Sequence, residues 1–191
     1  MPTKKKSRTN LSPEQEITHA QDLFIGAWGK MGSAWGISRT MAEVHALLYI
    51  SGEPQCSDDV IDRLQISRGN ASMSLRALED WGLIRRVHKR GDRKDYFEAE
   101  DDVWTMFRTI MRERKKRELD PIVASLFEIR DITQSKHAQS DAERKRHNKR
   151  LDNMLQLIQT LERLGQTLAV TNDEALRAAA TAFLASEESP R

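Results

Sequence analysis

Short polar and basic side chains recur over residues 68–76 at the spacing of one helix face. The outward positions between Ser67 and Gly82 are occupied by Arg68, Gly69, Asn70, Ser72, Met73 and Arg76. The opposite face is apolar and comprises Ala71, Leu75 and Leu78. Arginine can pair bidentately with guanine and asparagine with adenine, and a glycine permits close approach of the backbone. The pattern predicts a DNA-reading helix, with an ordinary solvated helix face as the alternative interpretation.

A second basic cluster follows directly along the chain. Residues 83–88 and 96–99 have β-strand character and are separated by a Gly91-Asp92 turn, which predicts a hairpin. The cations at its tip are Lys89, Arg90, Arg93 and Lys94. We expect Arg93 to enter a minor groove beside the major groove that the helix reads, and the other three to bind phosphate. The alternative is an ordinary charged hairpin tip, in which Asp92 pairs with Arg93.

The charge of the chain is concentrated in these segments. The net charge is only +2, yet residues 63–94 hold nine Lys or Arg against three acidic residues. Residues 1–10 add a further cluster, Lys4, Lys5, Lys6 and Arg8, so the rest of the chain is net acidic. This distribution is typical of a protein with a polyanionic partner, and double-stranded DNA is the leading candidate. We expect residues 1–11 to form a disordered basic arm that either seeks DNA or keeps the protein soluble.

Helix start and stop signals define the elements that position these residues. Residues 12–36 are predicted as an N-terminal helix, running from the capping box at Ser12 to about Lys30, followed by a Gly-rich loop. Helices are also predicted at about 38–50, 57–64 and 68–81. The last two are joined by a short turn and followed by the hairpin, so residues 37–100 are predicted as a winged helix-turn-helix domain with a small β-hairpin wing. The fold class is therefore mostly α.

Residues 101–187 are predicted as a helical dimerisation region that also contributes to an effector site. Asp120-Pro121 should kink or restart the first helix, and residues 133–139 lack an apolar pattern and are expected to form a loop. A long helix from Ser140 then carries the apolar stripe Leu151, Met154, Ile158, Leu161 and Leu168, and a last helix from Thr171 carries Phe183 and Leu184. These faces exceed what a winged helix can cover, which predicts a homodimer.

Aromatic residues are numerous for a DNA-binding module. The candidates for an effector site are Phe24, Trp28, Trp35, Tyr49, Trp104 and Phe107. Such rings can form a cage that holds a quaternary ammonium group by cation–π attraction. The alternative is that they pack the junction between the helical layer and the winged helix. Cys56 likewise is either an oxidation sensor or a small buried hydrophobe.

Several classes of protein are excluded by the composition. The sequence shows neither a bilayer span nor a signal peptide, which indicates a cytoplasmic protein without a membrane partner. A single cysteine cannot form an internal disulfide or a cysteine-based zinc site, and the five histidines are too dispersed for a metal site. We find no nucleophile elbow, phosphate-binding loop or paired carboxylates in a Gly-rich loop. We therefore expect no enzyme activity, cofactor or metal.

The motifs together resemble a known family. The runs SRGNASMSLRALEDWGLIRRV at residues 67–87, GDRKDYF at 91–97 and RKKRELDP at 114–121 resemble the GbsR-like branch of the MarR-type winged-helix transcription regulators. The resemblance extends from about Trp35 to Pro121. It implies a homodimer, held by N- and C-terminal dimerisation helices, that binds a pseudo-palindromic operator and usually represses transcription. Some members that it resembles sense choline. A possible small-molecule effector of this chain is thus a quaternary ammonium compound such as choline.

Two other functions remain compatible with a winged helix. The domain could bind a protein rather than DNA, or the chain could be an architectural DNA-binding protein without an effector. A protein-binding winged helix does not need arginines on both the helix N-terminus and the wing. The basic residues 63–94 therefore favour a sequence-specific DNA-binding transcription regulator.

Overall fold

The helices and strands follow from a computed structural model that describes residues 12–133 and 142–170, together with residues 174, 175, 178 and 181. The chain divides into two compact units, the first ending at Asp102 and the second beginning at Val103. The described residues are mostly helical with one small antiparallel sheet. The predicted fold class, a mostly α winged helix, is confirmed. The predicted basic arm lies outside the described residues.

Two helices pack at glycine contacts in the first unit. Helix α1 spans Pro13–Ala34 and begins with the predicted capping box, and helix α2 spans Arg39–Ser51. The Gly-rich loop predicted after Lys30 is wrong as far as Ala34, because α1 continues through Gly29 and Gly32. A Cβ added at Gly32 would lie 2.5 Å from the Cβ of Ala42 on α2. These glycines therefore permit a close approach of two helices rather than a loop.

The helix-turn-helix consists of α3 at Ser57–Leu64 and α4 at Arg68–Trp81. Gln65 adopts a left-handed conformation in the turn between them, with φ of 53°. The Ser67 hydroxyl accepts a hydrogen bond from the Asn70 backbone N–H at 3.2 Å, which caps α4. Gly82 ends the helix with φ of 75°. Both end signals predicted from the sequence are confirmed.

The sheet has three antiparallel strands in the order β1-β3-β2. They are β1 at Gln55–Cys56, β2 at Ile84–His88 and β3 at Asp95–Ala99. Strands β2 and β3 form the predicted wing hairpin, with Arg86 opposite Phe97. Strand β1 is not predicted from the sequence, because two residues are too few to show alternation.

The first unit is held together by apolar side chains from α2, α3 and α4. The fully buried ones include Val44, Leu47 and Leu48 on α2, Val60 on α3, and Leu78 on α4. Burial of such a side chain contributes roughly 1.5–3 kcal/mol relative to leaving it exposed. This core fixes α4 against the sheet, so the orientation of the opposite face of α4 is set by packing.

The second unit contains a helix with a π-helical interruption. Helix α5 spans Val103–Arg114, a π-helical turn spans Lys115–Leu119, and α6 spans Asp120–Ile132. The interruption predicted at Asp120-Pro121 therefore takes the form of a wide turn directly before a proline, which lacks a backbone donor. The Lys115 ammonium lies 2.5 Å from Asp120 and 3.1 Å from Glu162, and the Asp120 hydrogen bond raises the pKa of Lys115.

Helix α7 spans Ala142–Val170 and packs on α6. The Arg130 guanidinium lies 2.7 Å from Asp152, which ties the two helices together. Leu155 and Ile158 are buried, whereas Met154, Leu157, Leu161 and Leu164 are 49–57% exposed. The α6 side chains Ile122, Phe127, Ile129 and Ile132 are exposed as well. The predicted 133–139 loop beyond Thr133, and Phe183 and Leu184, lie outside the described residues.

The described part of the chain contains neither a membrane-spanning helix nor a cluster of metal-ligating side chains. None of the helices described is long and apolar enough to cross a membrane. Among the same residues, no three His, Cys, Asp or Glu side chains come together in a way that could hold a metal ion.

Candidate nucleic-acid interface

The N-terminal half of α4 presents a polar face to solvent. The residues predicted to read DNA are all exposed there: Arg68, Gly69, Asn70, Ser72, Met73 and Arg76. Met73 is 71% exposed, which is unusual for a large apolar side chain and leaves it available for contact. Ala71, Leu75 and Leu78 are buried on the other side. The structure thus brings the predicted helix residues together on one surface.

The wing tip is ordered by its own aspartate. The Asp92 carboxylate accepts hydrogen bonds from the Lys94 backbone N–H at 3.0 Å and from the Tyr96 hydroxyl at 2.7 Å. The hydrogen bond from the Lys94 backbone N–H, and to a smaller extent the one from the Tyr96 hydroxyl, holds the pKa of Asp92 below its usual value. Gly91 supplies the left-handed conformation of the turn, with φ of 87°. Asp92 therefore shapes the tip and leaves the adjacent Arg93 exposed.

One carboxylate joins α4 to the wing. The Asp58 carboxylate, in the first turn of α3, lies 3.2 Å from the Arg68 guanidinium and 3.1 Å from the Lys94 ammonium. The hydrogen bond to Asp58 raises the pKa of Lys94. Sequence reasoning did not assign Asp58 to the interface, because its partners are 10 and 36 positions away. No periodic pattern carries that information.

Other cations of the basic segment are neutralised within the fold. Arg86 pairs with Glu79 at 2.9 Å and with Asp95 at 3.0 Å, and Arg85 pairs with Glu98. The charge count along the sequence thus overstates the positive charge available to a partner.

Three arginines on this face have no acidic partner among the residues that the structure describes. Within the described ranges, no carboxylate lies within ion-pairing distance of Arg76, Arg90 or Arg93. The Lys89 ammonium donates to the Pro54 carbonyl at 3.3 Å and lies 4.1 Å from the centre of the Tyr96 ring. The uncompensated charge therefore lies on α4 and at the wing tip, where a phosphate backbone could reach it.

A groove of about 330 Å³ lies between α4 and the wing. Its walls include Arg68, Ser72, Arg76, Lys94 and the buried Cys56. The Cys56 backbone N–H donates to Asp59 at 2.8 Å, and this bond lowers the pKa of Asp59. Cys56 thus caps α3 and packs in the core. This position agrees with the interpretation of Cys56 as a small buried hydrophobe.

Three of the six aromatic candidates form one cluster in the first unit. The ring of Phe24 lies 5.7 Å from that of Trp28 and 6.2 Å from that of Tyr49. The cluster includes His45, which sequence reasoning did not assign to it and whose ring is 6.1 Å from Trp28. His45 is buried, its Nε2 has no hydrogen-bond partner in the described part of the chain, and burial lowers its pKa to about 4.

The other three aromatic candidates are divided between the two units. Trp35 caps the end of α1 and is 47% exposed. Trp104 and Phe107 belong to the second unit, where their rings meet edge to face at 6.5 Å.

Comparison with known proteins points to one family. Residues 35–95 match the MarR family. The chain is 27% identical over 112 residues to the "HTH-type transcriptional repressor GbsR" of Bacillus subtilis, which covers 59% of this chain and 62% of the relative. It is also 27% identical over 94 residues to the "Putative HTH-type transcriptional regulator YvaV" of the same organism, covering 49% of this chain and 53% of that one. The chain thus spans only about half to three fifths of these relatives' lengths.

A solved structure has the same fold. The crystal structure of a transcriptional regulator superposes on this chain with a TM-score of 0.52 at 24% sequence identity. The superposition covers 85% of this chain and 99% of the solved one.

Proposed function

We propose that this chain, whose residues 35–95 match the MarR family, is a sequence-specific DNA-binding transcription regulator. In this proposal it binds a pseudo-palindromic operator as a homodimer and represses the genes that follow. The observation that supports it best is the position of the three uncompensated arginines, Arg76 on the exposed face of α4 and Arg90 and Arg93 on the adjacent wing.

Each part of this face suits a different part of a DNA duplex. An α-helix fits the major groove, so Arg76 and Asn70 would contact base edges while Ser72 and Met73 contact phosphate and thymine methyl groups. The wing would lie along the backbone, with Lys89, Arg90 and Lys94 on phosphates, and Arg93 would enter the neighbouring minor groove. Arg68 and Gly69 lie at the positive end of the α4 dipole, which favours a phosphate there.

A homodimer is proposed because the second unit exposes more apolar surface than a monomer should. The exposed apolar residues of α6 and α7 recur along both helices, and burying them against a second copy would remove them from water. A two-fold dimer carries two recognition helices, so its operator should contain two half-sites about one helical turn apart.

A small-molecule effector forms the second part of the proposal. Phe24, Trp28 and Tyr49 are only half-buried and offer ring faces. Trp35, Trp104 and Phe107 are proposed as further residues that contact the effector. At pH 7 His45 is uncharged, since its pKa is about 4, so the cluster does not repel a cation. A quaternary ammonium compound such as choline suits these rings. Its binding would shift the DNA-competent population only if the two dimer geometries differ in affinity for it.

Calorimetric titration with choline tests the effector. We expect binding by the wild type that is weakened at least tenfold in Trp28→Ala and in Trp104→Ala, and unchanged in Leu23→Ala, which removes an exposed apolar side chain from the same helix as Trp28. Absence of binding, or equal binding by all variants, would leave the aromatic residues as core packing.

Selection from a random duplex library tests the DNA-binding proposal. The wild type should enrich an inverted repeat, and fluorescence anisotropy on that duplex should show at least about 10³-fold tighter binding than on a shuffled duplex. Arg76→Ala should weaken binding to the selected duplex by about 1–3 kcal/mol. The matched control Arg85→Ala removes an exposed arginine that pairs with Glu98 and should have little effect.

The outcomes separate the alternative functions. If no sequence is enriched and the chain does not bind duplex DNA, the winged helix serves a protein partner. Tight binding without sequence preference would instead indicate an architectural DNA-binding protein.

A further inference from the structure

We infer that Asp58 determines the specificity of the DNA-binding face, by holding two cations away from phosphates unless the correct sequence is present. The inference rests on the proposed DNA-binding function and adds to it a residue that contributes negative charge rather than positive. Asp58 is a positioning residue in this scheme, because it acts through Arg68 and Lys94.

The geometry places Asp58 between the two elements that would contact DNA. Its Oδ1 accepts from the Arg68 guanidinium at 3.2 Å, and its Oδ2 accepts from the Lys94 ammonium at 3.1 Å. Arg68 is the first residue of α4 and Lys94 directly precedes β3, and all three residues line the same groove. One carboxylate thus fixes the position of the recognition-helix N-terminus relative to the wing.

The cap of α3 does not depend on Asp58. The Asp59 carboxylate accepts the hydrogen bond from the Cys56 backbone N–H, whereas the Asp58 side chain is 46% exposed and contacts the two cations. Replacing Asp58 by asparagine keeps its size and its acceptor oxygen, so the fold should tolerate the change.

The expected effect follows from the nature of non-specific binding. Affinity for any duplex depends on cations that displace counterions from phosphates, and a carboxylate in the face opposes it. Asp58 occupies two such cations in the unbound protein. On the correct sequence, fixed positions of Arg68 and Lys94 favour their contacts, so Asp58 should lower non-specific affinity more than specific affinity.

The magnitude can be estimated from counterion release. Each additional phosphate contact changes the slope of log affinity against log salt by about −0.9. Two released cations would therefore make the slope steeper by about 1–2. Each released cation would raise the affinity for a shuffled duplex by up to about 8-fold at 0.1 M salt. The affinity for the selected duplex should change by less than about threefold.

The experiment compares Asp58→Asn with Asp62→Asn. Asp62 lies one turn later on α3, and its carboxylate makes no ion pair with any residue that the structure describes, so the control removes the same charge without releasing a cation. Affinity for the shuffled duplex, affinity for the selected duplex and retention on heparin are each measured against salt for the full chain. Only Asp58→Asn should reduce the sequence preference and steepen the salt dependence.

A second comparison shows whether the effect acts through the two cations. In an Arg68→Gln/Lys94→Gln background, Asp58→Asn should have no more effect than Asp62→Asn. Equal effects of Asp58→Asn and Asp62→Asn in the wild-type background would overturn the inference, as would an Asp58 effect that survives in the double variant.

Failure of the proposed function would be recognised separately. If the wild type binds no duplex, the DNA-binding proposal fails and Asp58 has no specificity to determine. If the wild type prefers its selected duplex but Asp58→Asn retains the full preference, only the inference about Asp58 fails. Heparin retention reports the release of the two cations in either case, because it requires no sequence recognition.

Discussion

Lowering the pH should destabilise the first unit through His45, a side chain that does not belong to the proposed DNA-binding face. Burial lowers the pKa of His45 from 6.5 to about 4, so the unfolded chain binds this proton more readily than the folded one. The contribution of neutral His45 is therefore present above pH 6.5 and lost as the pH falls from 6.5 to 4. The loss amounts to about 2 kcal/mol at pH 5 and about 3 kcal/mol at pH 4.

Urea unfolding of the wild type and of His45→Leu measures this effect. Carboxylates that titrate below pH 5 are common to both proteins, so the difference between their free energies of unfolding isolates His45. That difference should move by about 2 kcal/mol in favour of the variant between pH 7.5 and pH 5. The protein concentration must be equal throughout, because a dimer's stability depends on it. A difference that stays constant within about 0.5 kcal/mol would refute the reasoning.

Three further predictions concern packing, the wing and assembly. Gly32→Ala should destabilise the protein by about 1–3 kcal/mol because the added methyl group meets Ala42 on α2. Gly26→Ala, which adds a methyl group in open space, should stabilise the protein by up to about 1 kcal/mol. Thermal unfolding measures both changes. Arg93→Ala should weaken binding to the selected duplex by about 1–3 kcal/mol and make the slope of log affinity against log salt shallower by about one. The control Arg85→Ala should leave both quantities unchanged. If Arg93→Ala also leaves both unchanged, the wing does not contribute to DNA binding. Leu161→Glu should convert the dimer into a monomer in sedimentation equilibrium, and a wild type that is monomeric at all concentrations would contradict the dimer.

The elements that depend on local signals are predictable from the sequence. Ser67 and Gly82 mark the ends of α4 because a side-chain acceptor and a left-handed glycine satisfy the backbone groups that every helix leaves unpaired. The spacing of apolar and polar residues between them predicts which face of α4 is exposed, and this is the face proposed to contact DNA. The hairpin follows in the same way from two β-rich runs and the Gly91 turn.

The glycines of α1 show where local signals mislead. A glycine after a helical run usually marks a loop, but Gly29 and Gly32 are helical and lie against α2. What they report is the distance between two helices, and that distance depends on Ala42 and Glu43, which belong to another element. Sequence spacing within α1 contains no information about it.

Charge pairing across the fold is the second feature that the sequence does not reveal. Lys94 and Arg86 count equally in the basic segment, yet Lys94 pairs with Asp58 on α3 and Arg86 pairs with Glu79 on α4. Which cations remain uncompensated is decided by tertiary contacts. The same holds for His45, whose burial beside Trp28 follows from the packing of α1 on α2.

Hydroxyl-radical footprinting on the selected duplex tests the central claim most directly. The radical attacks through the minor groove, so it reports where the wing enters and where the dimer lies on the backbone. The wild type should protect two symmetric segments, one in each half-site. The centres of the two half-sites should lie about one helical turn apart. Arg93→Ala should lose the minor-groove protection at both. A single asymmetric footprint, or no protection at concentrations that saturate binding, would contradict a dimer that reads DNA with α4 and the wing.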